Sequence, residues 1–165
     1  MNSRTLCSVA TLCALFVAAA AQAGNAVFNG DFELGDFAGW RVDDPALGTF
    51  VTHAFAGYMP HGGDYFVALG AGGHPGTISQ DLHTSAGTAY TLSYFLASDG
   101  MSPNEFKVVW GARTLIDQLD IPAQGYRGYK FQVTATSAST SLTFYERNAR
   151  GFLSLDDVSV TPAAR

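Results

Sequence analysis

From residue 65 onward the chain alternates apolar and polar side chains in short runs, with turn residues between them. Residues 90–97 (YTLSYFLA) put Tyr90, Leu92, Tyr94 and Leu96 on one face. Residues 105–110 do the same with Phe106, Val108 and Trp110, and residues 128–135 with Tyr129, Phe131 and Val133. Residues 141–147 set Leu142 and Phe144 against Thr143, Tyr145 and Arg147. Successive side chains of a strand point to opposite faces, so each run predicts a strand with one face toward a core. Residues 65–69 (YFVAL) read as a buried strand, 77–82 and 114–118 as short strands, and 152–160 as the last one. No stretch sustains the 3.6-residue period of an amphipathic helix. About eight strands at this spacing predict an all-β fold, an antiparallel two-sheet β-sandwich. Segments 43–60 and 70–76 are expected as its long loops, and loops at the ends of a sandwich are where binding sites gather.

The first 23 residues are expected to be removed. Arg4 precedes an apolar run, residues 6–21, that ends at Ala21-Gln22-Ala23 before Gly24. That is the pattern of a secretory signal peptide, and it predicts a secreted or periplasmic protein. The run is shorter than the roughly 20 apolar residues of a spanning helix, which speaks against a membrane anchor. Both cysteines, Cys7 and Cys13, lie inside it. The remaining single domain, 24–165, then has no disulfide and must be held by its core or by a bound metal. Its loss removes one of nine basic residues and none of fourteen acidic ones, leaving a net charge of −6. With no basic stripe to meet phosphates, that charge disfavours nucleic acid and anionic membrane surfaces as partners, and neither is expected.

The two ends of that domain pose one question. The first, NGDFELGDFAGW (29–40), opens on an Asn-Gly turn signal with Phe32, Leu34 and Trp40 as apolar anchors. Glu33 sits in a stretch that should be packed, and a carboxylate buried alone is costly. The last, LSLDDVSV (153–160), places Asp156 on the same alternating face as Val158 and Val160. If the first and last strands are neighbours, Glu33 and Asp156 converge. Two carboxylates with backbone carbonyls make a hard oxygen site suited to Ca²⁺. The bland alternative is that both carboxylates only accept backbone hydrogen bonds or cap a turn.

The N-terminal NG-x-FE-x-G-x-x-x-GW, the central H-x-G-x-Y and the C-terminal LDDVSV resemble the carbohydrate-binding modules of the galactose-binding-like jelly-roll superfamily. The family-four, family-nine and family-twenty-two type modules are the most similar groups. The stretch GTISQDLHTSAGTAYTLSYFLASD and the ending RNARGFLSLDDVSV are similar to exported bacterial proteins that carry a PEP-CTERM sorting tail. The resemblance implies a jelly-roll sandwich, a non-catalytic glycan-binding role and a structural calcium bridging the chain ends. Carried over by position, its ligands are the Asp31 carbonyl, the Glu33 side chain, a carbonyl near Gly63 and the Asp156 carboxylate, with Asp157 the less certain of the acidic pair. The sequence stops at VTPAAR, without the Pro-Glu-Pro motif, apolar helix and basic residues of the sorting tail, so a freely secreted protein is expected.

No nucleophile elbow, zinc-protease helix, P-loop or C-x-x-C motif is present, and no enzyme activity is expected. Of the four histidines, His53, His61, His74 and His83, only His61 and His74 make a conceivable metal pair, and no partner completes it. Glu33 with Asp156 is the best-placed carboxylate pair for glycoside hydrolysis, but packed chain ends suit a metal better than an open cleft. Glycans are held by aromatic faces and by amide, carboxylate and guanidinium groups. Three sets offer these: Tyr145, Glu146, Arg147, Asn148 and Arg150; Asp99, Asn104 and Trp110; and Trp40 with Tyr58. Tyr145 is the leading stacking candidate. Trp40 and Trp110 fall in register with apolar neighbours, which favours the core. Extracellular polysaccharide is the expected partner. A structural or interaction protein of the cell surface or biofilm matrix, without a glycan site, is the alternative, and an enzyme's orphaned accessory module a third reading.

Overall fold

The computed structural model describes residues 24–164 except 45, 71 and 73. The expected signal peptide, 1–23, lies outside the described residues. Among the described residues ten strands form two antiparallel five-stranded sheets that pack face to face. They are β1 (Arg41–Asp43), β2 (Phe50–Thr52), β3 (Phe66–Leu69), β4 (Gly76–His83), β5 (Ala89–Ser98), β6 (Asn104–Trp110), β7 (Arg113–Leu119), β8 (Gln124–Thr134), β9 (Ser139–Asn148) and β10 (Leu153–Pro162). Sheet A has the order β1-β4-β9-β6-β7 and sheet B the order β2-β3-β10-β5-β8. No helix occurs among the described residues.

Eight of these strands coincide with the runs read as strands, most of them because half-buried strands print their faces into the sequence and β3 because it is apolar throughout. The apolar parity of β4, β6 and β9 from sheet A (Ile78, Leu82, Phe106, Val108, Leu142, Phe144) meets that of β5 and β10 from sheet B (Leu92, Tyr94, Leu96, Leu155, Val160). Tyr94 sits at the centre, fully buried, in ring contact with Phe106, Tyr129, Phe131 and Phe144. Strand β2 falls inside the expected loop 43–60, and β1, which meets that loop only at Asp43, was not predicted. Three residues are too few to display a period, and β1 (RVD) is exposed throughout.

The last strand departs from strict alternation. Leu153 and Leu155 face the core, and so do Val158 and Val160. A register shift between Asp156 and Ser159 supplies the change of parity, with Asp157 in the left-handed region at φ 51°. Asp156 therefore does not share a face with Val158 and Val160, as the sequence pattern predicts. It lies opposite them, beside Ser154, beneath the loop that leads into β3.

The N-terminal segment ties both sheets together. Ala26 N–H donates to the Val160 carbonyl (2.7 Å) and Val158 N–H to the Gly30 carbonyl (2.8 Å), which extends sheet B. On the other side, the buried Gln80 side chain acts as a short piece of strand: its amide donates to the Phe28 carbonyl (2.9 Å) and accepts from Phe28 N–H (2.8 Å). Phe32 and Trp40 then cap the core, and the Trp40 indole donates to the Asn29 carbonyl (2.9 Å). Leu34, expected as a third anchor, is 59% exposed, since the turn that buries Phe32 directs its second neighbour outward.

Gly30 is where the segment passes closest to β10, and a Cβ there would overlap the Val158 carbonyl oxygen. Gly30→Ala is expected to cost about 3 kcal/mol by overpacking. Gly125→Ala, where a Cβ meets nothing within 4 Å, should stay within about 0.5 kcal/mol. Urea denaturation of the two variants checks the contrast.

Candidate functional site

Two regions collect the residues that the sequence singles out. The first is the seam between the chain ends. Gly63 has φ 61°, and a Cβ on it would collide with the Glu33 carboxyl, so the loop can lie directly on that side chain. Glu33 Oε1 accepts from the N–H groups of Asp64 and Tyr65, both at 2.8 Å. On its other flank the loop donates to Asp156, His61 N–H at 2.8 Å and Gly62 N–H at 3.2 Å. Asp157 N–H donates to the second Asp156 oxygen at 2.7 Å. The loop 61–65 is therefore held between two carboxylates, and both carboxylates accept backbone hydrogen bonds. His61 completes the cover: its ring stacks on Phe95 at 3.5 Å between centroids and its Nδ1 lies 2.6 Å from Asp157 Oδ2.

Asp156 is fully buried, and among the described residues no cationic side chain offsets its charge. Burial pushes its pKa up to about 6, against the pull of the three N–H donors. As a donor set for a hard cation, the chemistry fits. Glu33 and Asp156 are oxygen ligands with lone pairs beyond those engaged by N–H, and a cation would answer the charge on Asp156. Among the described residues no group of three or more His, Cys, Asp or Glu side chains converges to hold a metal, so backbone carbonyls must complete such a site. Beside the seam a polar cleft of about 320 Å³ is lined by Asn25, Asn29, Asp31, Asp157 and Ser159.

The second region is the outer face of sheet A. Tyr145 on β9 stands between Thr77 of β4 and Lys107 of β6, its register partners. The Lys107 ammonium lies 4.5 Å from the Tyr145 ring centroid. One pair further along, Arg147 faces Glu105. Tyr145 and Arg147 are thus brought together on one half-exposed polar face. The remaining ligand candidates are not with them. Asn148, Glu146 and Asn104 have the inward parity of their strands and are buried. Asn104 closes a loop, donating to the carbonyls of Met101 and Ile121 and accepting from Ile121 N–H. Asn148 accepts from Gly151 N–H at 2.9 Å, which shapes the turn into β10. Trp110 is at the other end of β6 from Asn104, 4% exposed, with its indole bound to the Thr134 carbonyl. It floors a cleft of about 410 Å³ rimmed by Arg113, Thr136 and Thr140, and presents no ring face to solvent. Trp40, paired with Tyr58 as a candidate, belongs to the core instead.

Lys107 and Glu105 were missed as companions of Tyr145. Both lie at the polar positions of an alternating run, but cross-strand register is not written in either strand alone.

Comparison by sequence finds no matching family model and no matching curated protein. Comparison by structure finds the same sandwich in solved proteins of low identity. One is a family 61 carbohydrate-binding module solved with β-1,4-galactotriose: 18% identity, TM-score 0.63, covering 85% of this chain and 99% of that one. A second is the CBM22-1 xylan-binding domain of Paenibacillus barcinonensis Xyn10C: 17% identity, TM-score 0.55, covering 82% and 94%. A third is the K3 cleaved adhesin domain of the Porphyromonas gingivalis Lys-gingipain: 20% identity, TM-score 0.60, covering 86% and 98%. The chain therefore has the jelly-roll β-sandwich fold that carbohydrate-binding modules and adhesin domains share.

The raised pKa of Asp156 has a definite sign. The acid is easier to protonate in the folded state than in the unfolded one, so its contribution is most favourable below pH 3.8 and is lost as pH rises through about 6. In chelator, the wild type should lose on the order of 3 kcal/mol across that window relative to Asp156→Asn. Urea midpoints of both proteins across the same pH range check this; parallel profiles would show that Asp156 does not titrate as its burial demands.

Proposed function

We propose that this protein is a secreted, non-catalytic carbohydrate-binding module that holds a polysaccharide against the outer face of sheet A, with Tyr145 as the stacking ring. The observation that carries this reading is the placement of Tyr145. It is the one ring among the leading candidates that remains on a polar, solvent-facing sheet, flanked by hydroxyl and cationic side chains. A pyranose offers an apolar face to such a ring and hydroxyls to its neighbours. Glycan-bound and xylan-binding domains among the fold's relatives support the class of ligand.

The reading includes a calcium ion at the seam. Glu33 and Asp156 would hold it through their carboxylates, Asp31 and Gly63 through backbone carbonyls. The ion would supply positive charge beside a buried carboxylate that has no cationic partner among the described residues.

A second reading, a surface or matrix interaction protein with no glycan site, is favoured by the burial of both tryptophans and by the likeness to an adhesin domain. Native gels cast with β-1,4-galactan or xylan separate the two. Retardation that weakens ~tenfold or more in Tyr145→Ala supports the glycan site. Retardation unchanged by that substitution moves the site off this face, and none with any polysaccharide favours the interaction protein. For the ion, saturating calcium should raise the Tm of the wild type by about 5 °C or more over chelator and leave Asp156→Ala unmoved. Equal melting of both proteins in both conditions would remove calcium from the reading.

A further inference from the structure

Across sheet A, one row of side chains crosses all five strands on the outer face: Asp43, Thr77, Tyr145, Lys107 and Asp117, each in register with the next. The charges in and beside this row are not evenly matched. Arg41 is already spent, bonded to Asp81 at 2.9 Å. Lys107 and Arg147 are not. They share one carboxylate, Glu105, at 4.0 and 3.8 Å, beyond hydrogen-bond distance. Among the described residues neither cation donates a hydrogen bond, and Arg147 Nε is buried without an acceptor. Yet both side chains are pinned rather than waving in solvent: they are 27% and 34% exposed, and Lys107 is laid against the Tyr145 ring. Ordered, partly desolvated cations held only by one shared carboxylate beyond hydrogen-bond distance are what an anionic ligand group needs, because little further entropy is lost in meeting them and the local dielectric is low.

The acids define how much negative charge the face accepts. Asp43 and Asp117 stand exposed at the two edge strands of the same row. A polyanion laid across the sheet would bring its charges against both. A neutral main chain with an occasional acidic branch would not. Resting on the glycan-binding reading above, we propose that Lys107 and Arg147 form a subsite for an isolated anionic substituent, of the uronate type, on an otherwise neutral polysaccharide stacked at Tyr145.

Two polymers of this kind, each matched with its carboxyl-reduced form, test the idea: a glucuronate-substituted xylan and a glucuronate-bearing arabinogalactan. Polygalacturonate is the polyanionic control. At low salt at least one parent polymer should be held ~fivefold or more tightly than its reduced form. That advantage should vanish at high salt. It should also vanish in Lys107→Met and in Arg147→Gln, two variants whose folding is checked by their melting curves, whereas Tyr145→Ala weakens parent and reduced polymers alike. If parent and reduced polymers bind equally while Tyr145→Ala abolishes both, the anionic subsite is wrong and the glycan reading stands. If polygalacturonate binds more tightly than either sparsely charged polymer, the limit set by Asp43 and Asp117 is wrong and the subsite proposal with it. If the wild type binds none of the five, the glycan reading fails and the subsite falls with it.

Discussion

Asp156 is a carboxylate with no accessible surface and, among the described residues, no cationic side chain beside it. Its burial is tolerable because the chain is folded around it, with three N–H groups pointed at its oxygens. Much else depends on that arrangement. The bulge at Asp156–Asp157 reverses the parity of β10, so that Leu155 before it and Val158 after it both enter the core. The N–H of the same Val158 then receives the N-terminal segment at Gly30. The loop over Asp156 is anchored on its far flank by Glu33, which lies next to the core residue Phe32. One carboxylate thus sets the path of the last strand, the entry of the first segment and the loop between them.

A chain without a disulfide in this domain closes its ends by this route. The seam does not add a large apolar area. It satisfies backbone groups that would otherwise be buried unpaired, and an unpaired group costs more than a made bond returns. Gln80 does the corresponding work on sheet A, where its amide stands in for a neighbouring strand's backbone. The N-terminal segment consequently touches both sheets without being a strand of either.

The outer face of sheet A is built on different terms. Around Tyr145 the cross-strand contacts of Lys107, Arg147 and Glu105 are loose, at 3.8 to 4.5 Å. Half-exposed pairs at that separation contribute little to stability. Order without strong internal pairing sets this part of the face apart from the residues that hold the sandwich together. Asn104 and Asn148 are the reverse case. They are polar, and attractive as ligand residues in the sequence, but each closes a turn by bonding its backbone.

Period-two alternation determined the sandwich, because a strand's faces are a local property and appear in eight residues of sequence. It also favoured the inside for Trp110, which was nonetheless carried as a ligand candidate, and the outside for Tyr145, since each stands at a fixed parity among its neighbours. The three-residue strands β1 and β2 left no such trace. Nor did the bulge in β10: alternation across 153–160 reads as unbroken, and only the pairing of β10 with β5 reveals the shifted register. The company that Tyr145 keeps was equally out of reach. Lys107 lies 38 positions earlier in the chain, and nothing in either run says which residue of one strand stands opposite which residue of the other. Register is decided by the packing of both sheets at once, so the faces were legible in the sequence and their juxtaposition belonged to the tertiary structure.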